Sequence, residues 1–256
     1  MLPTISCLIM ELYFIIMYLS NYIIYFIVKT IFCRGKSKLV LRRNEEAGKV
    51  EVIKMPLGPL GTNCYIVHNN KNALIFDPGG DEDKIIHYLE DKNIIPQAIL
   101  LTHAHFDHIG GVETLRKHYN IEVYLHEKES SWLAEPSLNG SSLFMGDKIV
   151  TQDPDKRIVP GKMTIGEFNF DVLYTPGHSP GSTSFVFEDE GFVISGDVLF
   201  KQGIGRTDLP GGDYKQLESS IRDQLYKLSD TFLVYPGHGG TTTIREEKIQ
   251  NPFVRE

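Results

Sequence analysis

The chain has 256 residues, 41% of them hydrophobic and 23% charged, a balance that suits a globular protein able to bury a sizeable core of its own. A formal net charge of -7, with no long basic run in the main body, excludes nucleic-acid binding driven by phosphate neutralisation. Cys7, Cys33 and Cys64 lie far apart and form no C-x-x-C pair, which excludes a disulfide framework and a thiolate zinc site and fits a reducing compartment.

The N-terminal segment differs from the rest. Leu12 to Val28 carries no charge, and the apolar stretch runs from Leu8 to Phe32 if Glu11 and Lys29 are tolerated. Roughly 20 apolar residues cross a bilayer as a helix. Lys29, Arg34, Lys36, Lys38, Arg42 and Arg43 follow, so an inserted helix would leave the C-terminal body on the cytoplasmic side, held to the inner face of the membrane. No basic residues precede the run and no small-residue cleavage site follows it, which argues against a cleaved secretory signal. Residues 1–49 therefore read either as a membrane anchor with a basic linker or as upstream sequence translated from a start codon set too early. In both readings residues 50–256 form the working domain, and its location is cytoplasmic.

From Val50 the texture changes to short apolar runs punctuated by Gly, Pro and Asp. "VEVIKMPLG", "NCYIVHN" and "ALIFDPGG" predict three strands, the last ending in a turn. "DEDKIIHYLEDKN" has an acidic start and apolar Ile85, Ile86 and Leu89, which predicts a helix. "QAILLT" predicts a buried strand, "GGVETLRKHY" a helix, "IEVYLH" a strand and "EKESSWL" a short helix. Residues 135–160 are polar with Gly and Pro, and predict a loop or flap. Strands are then expected at "FNFDVLYTPG", "STSFVFE" and "GFVISGD", a helix from Asp213 to Leu228, a strand at "TFLVYPG" and a last helix at "IREEKIQ". Strands dominate each half with helices between them, so the fold class is α/β: two sheets packed together with helices outside.

Directly after "QAILLT" comes His103-Ala-His105-Phe-Asp107-His108. Three later segments repeat the device of an apolar strand whose turn presents a ligand-type side chain: His178 after "VLYTPG", Asp197 after "FVISG" and His238 after "FLVYPG". Strand ends give such side chains a rigid base. Imidazole and carboxylate without thiolate suit zinc, iron or manganese. The set is too large for one tetrahedral zinc and sufficient for two divalent metals sharing a carboxylate. Taken singly, His178 or His238 could be a turn residue and Asp197 a cap; the clustering is what a structural role does not explain. His68, His87, His118 and His126 read as ordinary satisfied side chains, and Cys64, Trp132 and Tyr174 as packing residues.

"HAHFDH", the downstream His, the Gly-Asp and the final Pro-Gly-His together resemble the metallo-β-lactamase superfamily over residues 50–256. The resemblance implies an αββα sandwich with its metals at one edge. It also implies that His103, His105 and His178 hold one metal and Asp107, His108 and His238 the other, with Asp197 bridging them. True β-lactamases of this fold usually have a cysteine near the Asp197 position and a secretion signal, and this chain shows neither. The RNA-gripping arm of the related transfer-RNA nucleases is not recognisable either. "GPLGTNCYIV", "GIGRTDLPGGD" and "GHGGTTTIREEKIQNPF" resemble the glyoxalase II (hydroxyacylglutathione hydrolase) group, in particular its short bacterial members, although related persulfide dioxygenases share a similar "GRTD" loop. Longer glyoxalase II proteins append a helical domain that helps bind glutathione, whereas this chain stops soon after His238, which puts glutathione in question as the thiol.

The resemblance implies hydrolysis of a small thioester such as S-lactoylglutathione by a hydroxide shared between two metals, zinc first among them, since paired cations bring the pKa of water near neutrality. Asp107 is then expected to serve in catalysis as well as in binding metal. Arg206 is expected to pair with a substrate carboxylate and Asp208 to orient a ligand histidine, against the plainer expectation that the two brace a glycine-rich loop. Two alternatives stand beside this one. One is a mononuclear iron persulfide dioxygenase using His103, His178 and Asp197 or a similar set of two histidines and a carboxylate. The other is a membrane-tethered metal-binding module without turnover. No nucleic-acid partner is expected, and membrane contact only if the N-terminal segment is a true anchor.

Overall fold

The structure is a computed structural model that describes residues 49–146 and 148–256. The expectations for the apolar segment lie outside the described residues. Among the described residues no helix is long and apolar enough to cross a membrane.

Two six-stranded sheets form the centre of the described chain. The first runs in spatial order through β1 (Glu51–Leu57), β2 (Thr62–His68), β3 (Asn72–Phe76), β4 (Ile95–Leu100), β5 (Glu122–His126) and β6 (Lys156–Ile158). β1 to β3 form an antiparallel meander, and β3 to β6 are mutually parallel. Helix Glu82–Lys92 makes the crossover from β3 to β4, and helices Phe106–Ile109 and Val112–Tyr119 the crossover from β4 to β5, since parallel neighbours need such a connection. The second sheet contains β7 (Gly161–Ile165), β8 (Phe168–Tyr174), β9 (Thr183–Phe187), β10 (Phe192–Gly196), β13 (Leu233–Pro236) and β14 (Thr242–Thr243), in the order β14-β13-β10-β9-β8-β7. A separate hairpin of β11 (Leu199–Phe200) and β12 (Gly203–Ile204) follows β10.

The alternation of side chains along each strand explains the layers. On β2, Tyr65 and Val67 enter the core between the sheets, while Cys64 and Ile66 face the outer helices. The middle core joins Leu74, Phe76 and Leu100 of the first sheet to Phe170, Phe185, Phe187 and Phe192 of the second. Its rings stack, with Phe187 and Phe192 centred 4.6 Å apart at 17°. Outside the first sheet, Ile75 and Ile99 pack with Ile85, Leu89, Val112 and Leu115. Outside the second, Val186, Val193 and Val234 pack with Leu217 and Ile221 from helix Tyr214–Asp223, whose first turn is capped by Asp213 accepting the Gln216 N–H at 3.0 Å. Both sheets are thus covered outside by helices, an αββα sandwich.

Several local expectations change. The helix expected from Asp213 to Leu228 ends at Asp223, and a 3₁₀ turn, Leu225–Lys227, follows. "EKESSWL" is a 3₁₀ helix, Glu127–Ala134. The supposed loop 135–160 holds helix Ser141–Phe144 and edge strand β6. β7 and β14 are likewise edges, of five and two residues. Edge strands and single turns carry too little apolar periodicity to show in a sequence.

Candidate metal centre

The four parts of the site come from strand ends at one edge of the sandwich. β4 ends at Leu100, and the chain presents His103 and His105 before helix Phe106–Ile109 carries Asp107 and His108. β8, β10 and β13 from the other sheet lead to His178, Asp197 and His238. All seven side chains expected from the sequence come together here. They form two facing half-sets, His103 with His105 and His178, and Asp107 with His108 and His238, and a third grouping joins His103, His108 and Asp197.

In the first half-set, His178 Nε2 lies 2.9 Å from His105 Nδ1 and 3.2 Å from His103 Nε2. Ligands about 2.1 Å from a tetrahedral zinc stand about 3.4 Å apart, so the spacing is close to that of one coordination shell. Outer hydrogen bonds set the tautomers. Thr102 Oγ1 donates to Asp77 Oδ2 at 2.7 Å, so it accepts from His103 Nδ1–H at 3.0 Å, which turns the bare Nε2 inward. His178 Nδ1–H donates to the Arg206 carbonyl oxygen at 2.8 Å, with the same result. Burial and neighbouring imidazoles push His103 and His105 down, His105 to about 3, so both are neutral and free to donate lone pairs.

The second half-set is held from the first sheet. Asp107 Oδ2 accepts the Thr62 hydroxyl at 2.7 Å and lies 3.1 Å from His238 Nε2. Burial pulls Asp107 upward, but His108, His238 and Thr62 outweigh it and keep the carboxylate ionised. His108 Nδ1 lies 3.1 Å from Asp77 Oδ2. The loop carrying His238 is stitched to β2, whose Asn63 side-chain amide and Tyr65 hydroxyl donate to the Pro236 carbonyl at 2.9 and 2.7 Å.

Asp197 faces both halves: Oδ1 is 3.4 Å from His108 Nε2, and Oδ2 is 3.6 Å from His178 Nε2 and 3.5 Å from His238 Nε2. Two features fit this cluster to cations. Asp197 Oδ1 and His108 Nε2 are buried and have no hydrogen-bond partner nearer than each other, at a long 3.4 Å, which is costly unless another group completes them. Gly237 leaves the space open, because a Cβ there would strike Asp197 Oδ1 and stand 2.9 Å from His108 Cε1.

The half-sets form the floor of a cleft of about 340 Å³ lined by His105, Asp107, His178, Asp197 and His238 together with Leu60, Phe106, Phe144, Phe200, Ile204, Arg206 and Leu209. Arg206 is at the wall, but its Nε and one terminal nitrogen donate to the two oxygens of Asp208, each at 2.7 Å. The expected roles change accordingly. Asp208 meets Arg206 and not a ligand histidine; the group that orients His178 is the Arg206 carbonyl.

Four positioning residues escaped the sequence reading. Asp77, Thr102 and Thr62 are described above; Asp77 had the same strand-then-turn setting as the expected ligands, in "ALIFDPGG". The fourth, Glu129, is fully buried and accepts the Ala104 N–H and the Gly181 N–H, both at 2.6 Å, and nothing in "EKESS" announces it. The plainer assignments fit. His68 Nδ1–H donates to the Asn69 carbonyl at 2.8 Å and its Nε2 accepts from Tyr88 at 2.9 Å. Cys64 is buried, with its thiol pushed up by that burial. Trp132 packs 5.9 Å from the His105 ring, and Tyr174 stacks on His126 and donates to the Pro180 carbonyl.

Comparison with known proteins adds the family context. The metallo-beta-lactamase superfamily model matches residues 57–238. The chain is 48% identical over 202 residues to the probable metallo-hydrolase YqgX of Bacillus subtilis (strain 168), covering 78% of this chain and 96% of that one. It is 36% identical over 214 residues to the hydroxyacylglutathione hydrolase GloC of Haemophilus influenzae, covering 80% and 97%. Among solved structures, that of the BLEG-1 B3 metallo-beta-lactamase is 48% identical with a TM-score of 0.79, covering 80% of this chain and all of that one.

Proposed function

The chain belongs to the metallo-β-lactamase superfamily, and from that premise we propose that it is a binuclear metal-dependent hydrolase of small thioesters. The observation that carries the reading is the facing of both half-sets by one carboxylate, Asp197, at the floor of an open cleft. In this reading His103, His105 and His178 would hold one divalent cation, and Asp107, His108 and His238 the second, with Asp197 within reach of both. Zinc, iron and manganese all suit these donors. When bound, such a pair would supply Lewis acidity and lower the pKa of a water near the site.

The chain's own part is to hold, orient and exclude. Thr102, Asp77 and the Arg206 carbonyl fix which ring nitrogens face inward. Asp107, anchored through one oxygen by Thr62, accepts a hydrogen bond from the attacking water and aims it at the thioester carbonyl. The apolar walls receive the acyl group and the body of the thiol, and keep bulk water from the reacting bond. The name of GloC, a hydroxyacylglutathione hydrolase, supports a thioester of this kind.

The test is a substrate panel on metal-analysed protein loaded with zinc, iron or manganese. Hydrolysis of S-lactoylglutathione or a simpler thioester, with two metals per chain and loss on chelation, is the expected result. One iron per chain with oxygen consumption on a persulfide would replace it with dioxygenase chemistry. A second reading, β-lactam hydrolysis, is favoured by the likeness to BLEG-1, and turnover of a β-lactam with inert thioesters would establish it.

A further inference from the structure

Above the floor, the cleft changes character. Leu60, Phe106, Phe144, Phe200, Ile204 and Leu209 make the apolar part of its walls, with Asn139 beside them, and among the described residues the only cationic side chain in the lining apart from the histidines is Arg206. That cation is already paired with a carboxylate, both side chains being more than half exposed. Its Nε and one terminal nitrogen meet the two Asp208 oxygens at 2.7 Å each, a fork-to-fork pair that uses one complete edge of the guanidinium. Its guanidinium carbon lies 5.7 Å from the centre of the Phe144 ring, within the range of a cation–π contact. Lys54, on neighbouring β1, donates to the Gly239 carbonyl at 3.2 Å and does not line the cleft.

We propose that the cleft selects thioesters whose carrier thiol is uncharged, and that Asp208 sets this choice by pairing with Arg206. The inference rests on the thioester reading above. A carrier such as glutathione brings two carboxylates. Each would have to compete with Asp208 for Arg206, whose remaining N–H groups lie close to the Asp208 charge, stay in water beyond the mouth, or lie against Leu and Phe side chains, where a carboxylate loses hydration without a partner. An uncharged carrier meets none of these costs and gains from burying its methylenes against the same walls. Asp208 is therefore a specificity-determining residue, acting through Arg206 and not on the reacting atoms. Its charge also repels an approaching anion directly, and salt screens that part of the effect.

Binding and turnover separate the two levels of the argument. The metal-loaded full chain is titrated by calorimetry with two non-hydrolysable thioethers, S-propyl-N-acetylcysteamine, which is neutral, and S-propylglutathione, which is anionic. Turnover is measured with butyryl thioesters of the same two thiols. The neutral thioether should bind about tenfold more tightly, with a parallel ratio of kcat/KM. Asp208→Asn should shift that ratio about tenfold toward the anion, and Arg206→Gln, which leaves Asp208 unmatched, should shift it the other way. Equal or tighter binding of S-propylglutathione by the unaltered chain would overturn the inference, as would an unchanged ratio in Asp208→Asn. If the thioethers bind in the expected order while neither thioester is hydrolysed, charge selection stands and the thioester reading falls.

Discussion

Glu129 Oε1 accepts the backbone N–H of Gly181 at 2.6 Å, joining a 3₁₀ helix at the edge of one sheet to the loop that carries His178 from the other. Its second oxygen holds the N–H of Ala104, between His103 and His105. One buried carboxylate thus ties together the two loops that supply the first half-set. Gly181 permits the approach, since a Cβ there would stand 2.9 Å from Glu129 Cγ.

Glu129→Gln tests this tie. Glutamine keeps one acceptor and turns an NH₂ toward a buried N–H, which leaves a donor unsatisfied at a cost of about 1–3 kcal/mol. Lower thermal stability is expected, together with preferential loss of one of the two proposed metals. Metal analysis after dialysis checks it, and two metals retained at unchanged affinity would show that the tie does not govern the site.

The proposed ligands predict stronger effects. His103→Ala and His178→Ala should each abolish turnover and reduce bound metal, because each removes one of three closely spaced imidazoles. Asp197→Asn should be at least as damaging, since a neutral amide compensates two cations poorly. Full activity in either histidine variant, or two metals in Asp197→Asn, would remove the assignment.

Asp77 predicts a milder, selective loss. Its carboxylate accepts the Thr102 N–H at 2.8 Å and the Thr102 hydroxyl at 2.7 Å, and lies 3.1 Å from His108 Nδ1. Outer partners of metal-binding histidines typically account for about 10–100-fold in metal affinity. Asp77→Asn should weaken metal binding within that range while the ligands stay in place. A competition titration with a chromophoric chelator measures it, and unchanged affinity would reduce Asp77 to a turn residue.

The contrast between Asp77 and Glu129 shows what the sequence could disclose. The seven clustered side chains are legible because ligand-type residues recur after apolar strands, and that repetition has no structural motive. Asp77 sits in the same pattern, yet "DPGG" also spells an ordinary turn. Glu129 has no local signature, for its role exists only once loops distant in sequence meet. The two sheets were readable for a related reason: strands such as β2 and β9, buried along their whole length, are rich in apolar and β-branched residues. The edge strand β6, three residues long with two exposed, is not. Arg206 and Asp208 both stand out in "GRTD", but only the folded structure shows that they pair with each other.

Gly237 gives the last prediction, because it separates an open site from a merely well-packed one. It lies between Pro236 and His238, donates its N–H to the Gly196 carbonyl at 2.8 Å, and gives its carbonyl to Asn63 N–H at 2.7 Å, so its backbone is fixed from both sides. A methyl added there cannot retreat. It would strike Asp197 Oδ1 and crowd His108 Cε1 at 2.9 Å, displacing the carboxylate that faces both half-sets. Gly240 supplies the control in the same loop, for a Cβ there meets nothing nearer than Lys201 Cδ at 3.7 Å. Gly237→Ala should therefore lose metal and turnover together, with an overpacking penalty of about 1–3 kcal/mol, whereas Gly240→Ala should retain both. Metal content and thermal unfolding of the two variants decide the matter. A Gly237→Ala chain that keeps two metals would mean that Asp197 has room to move, and that the close fit around it is not what holds the site together.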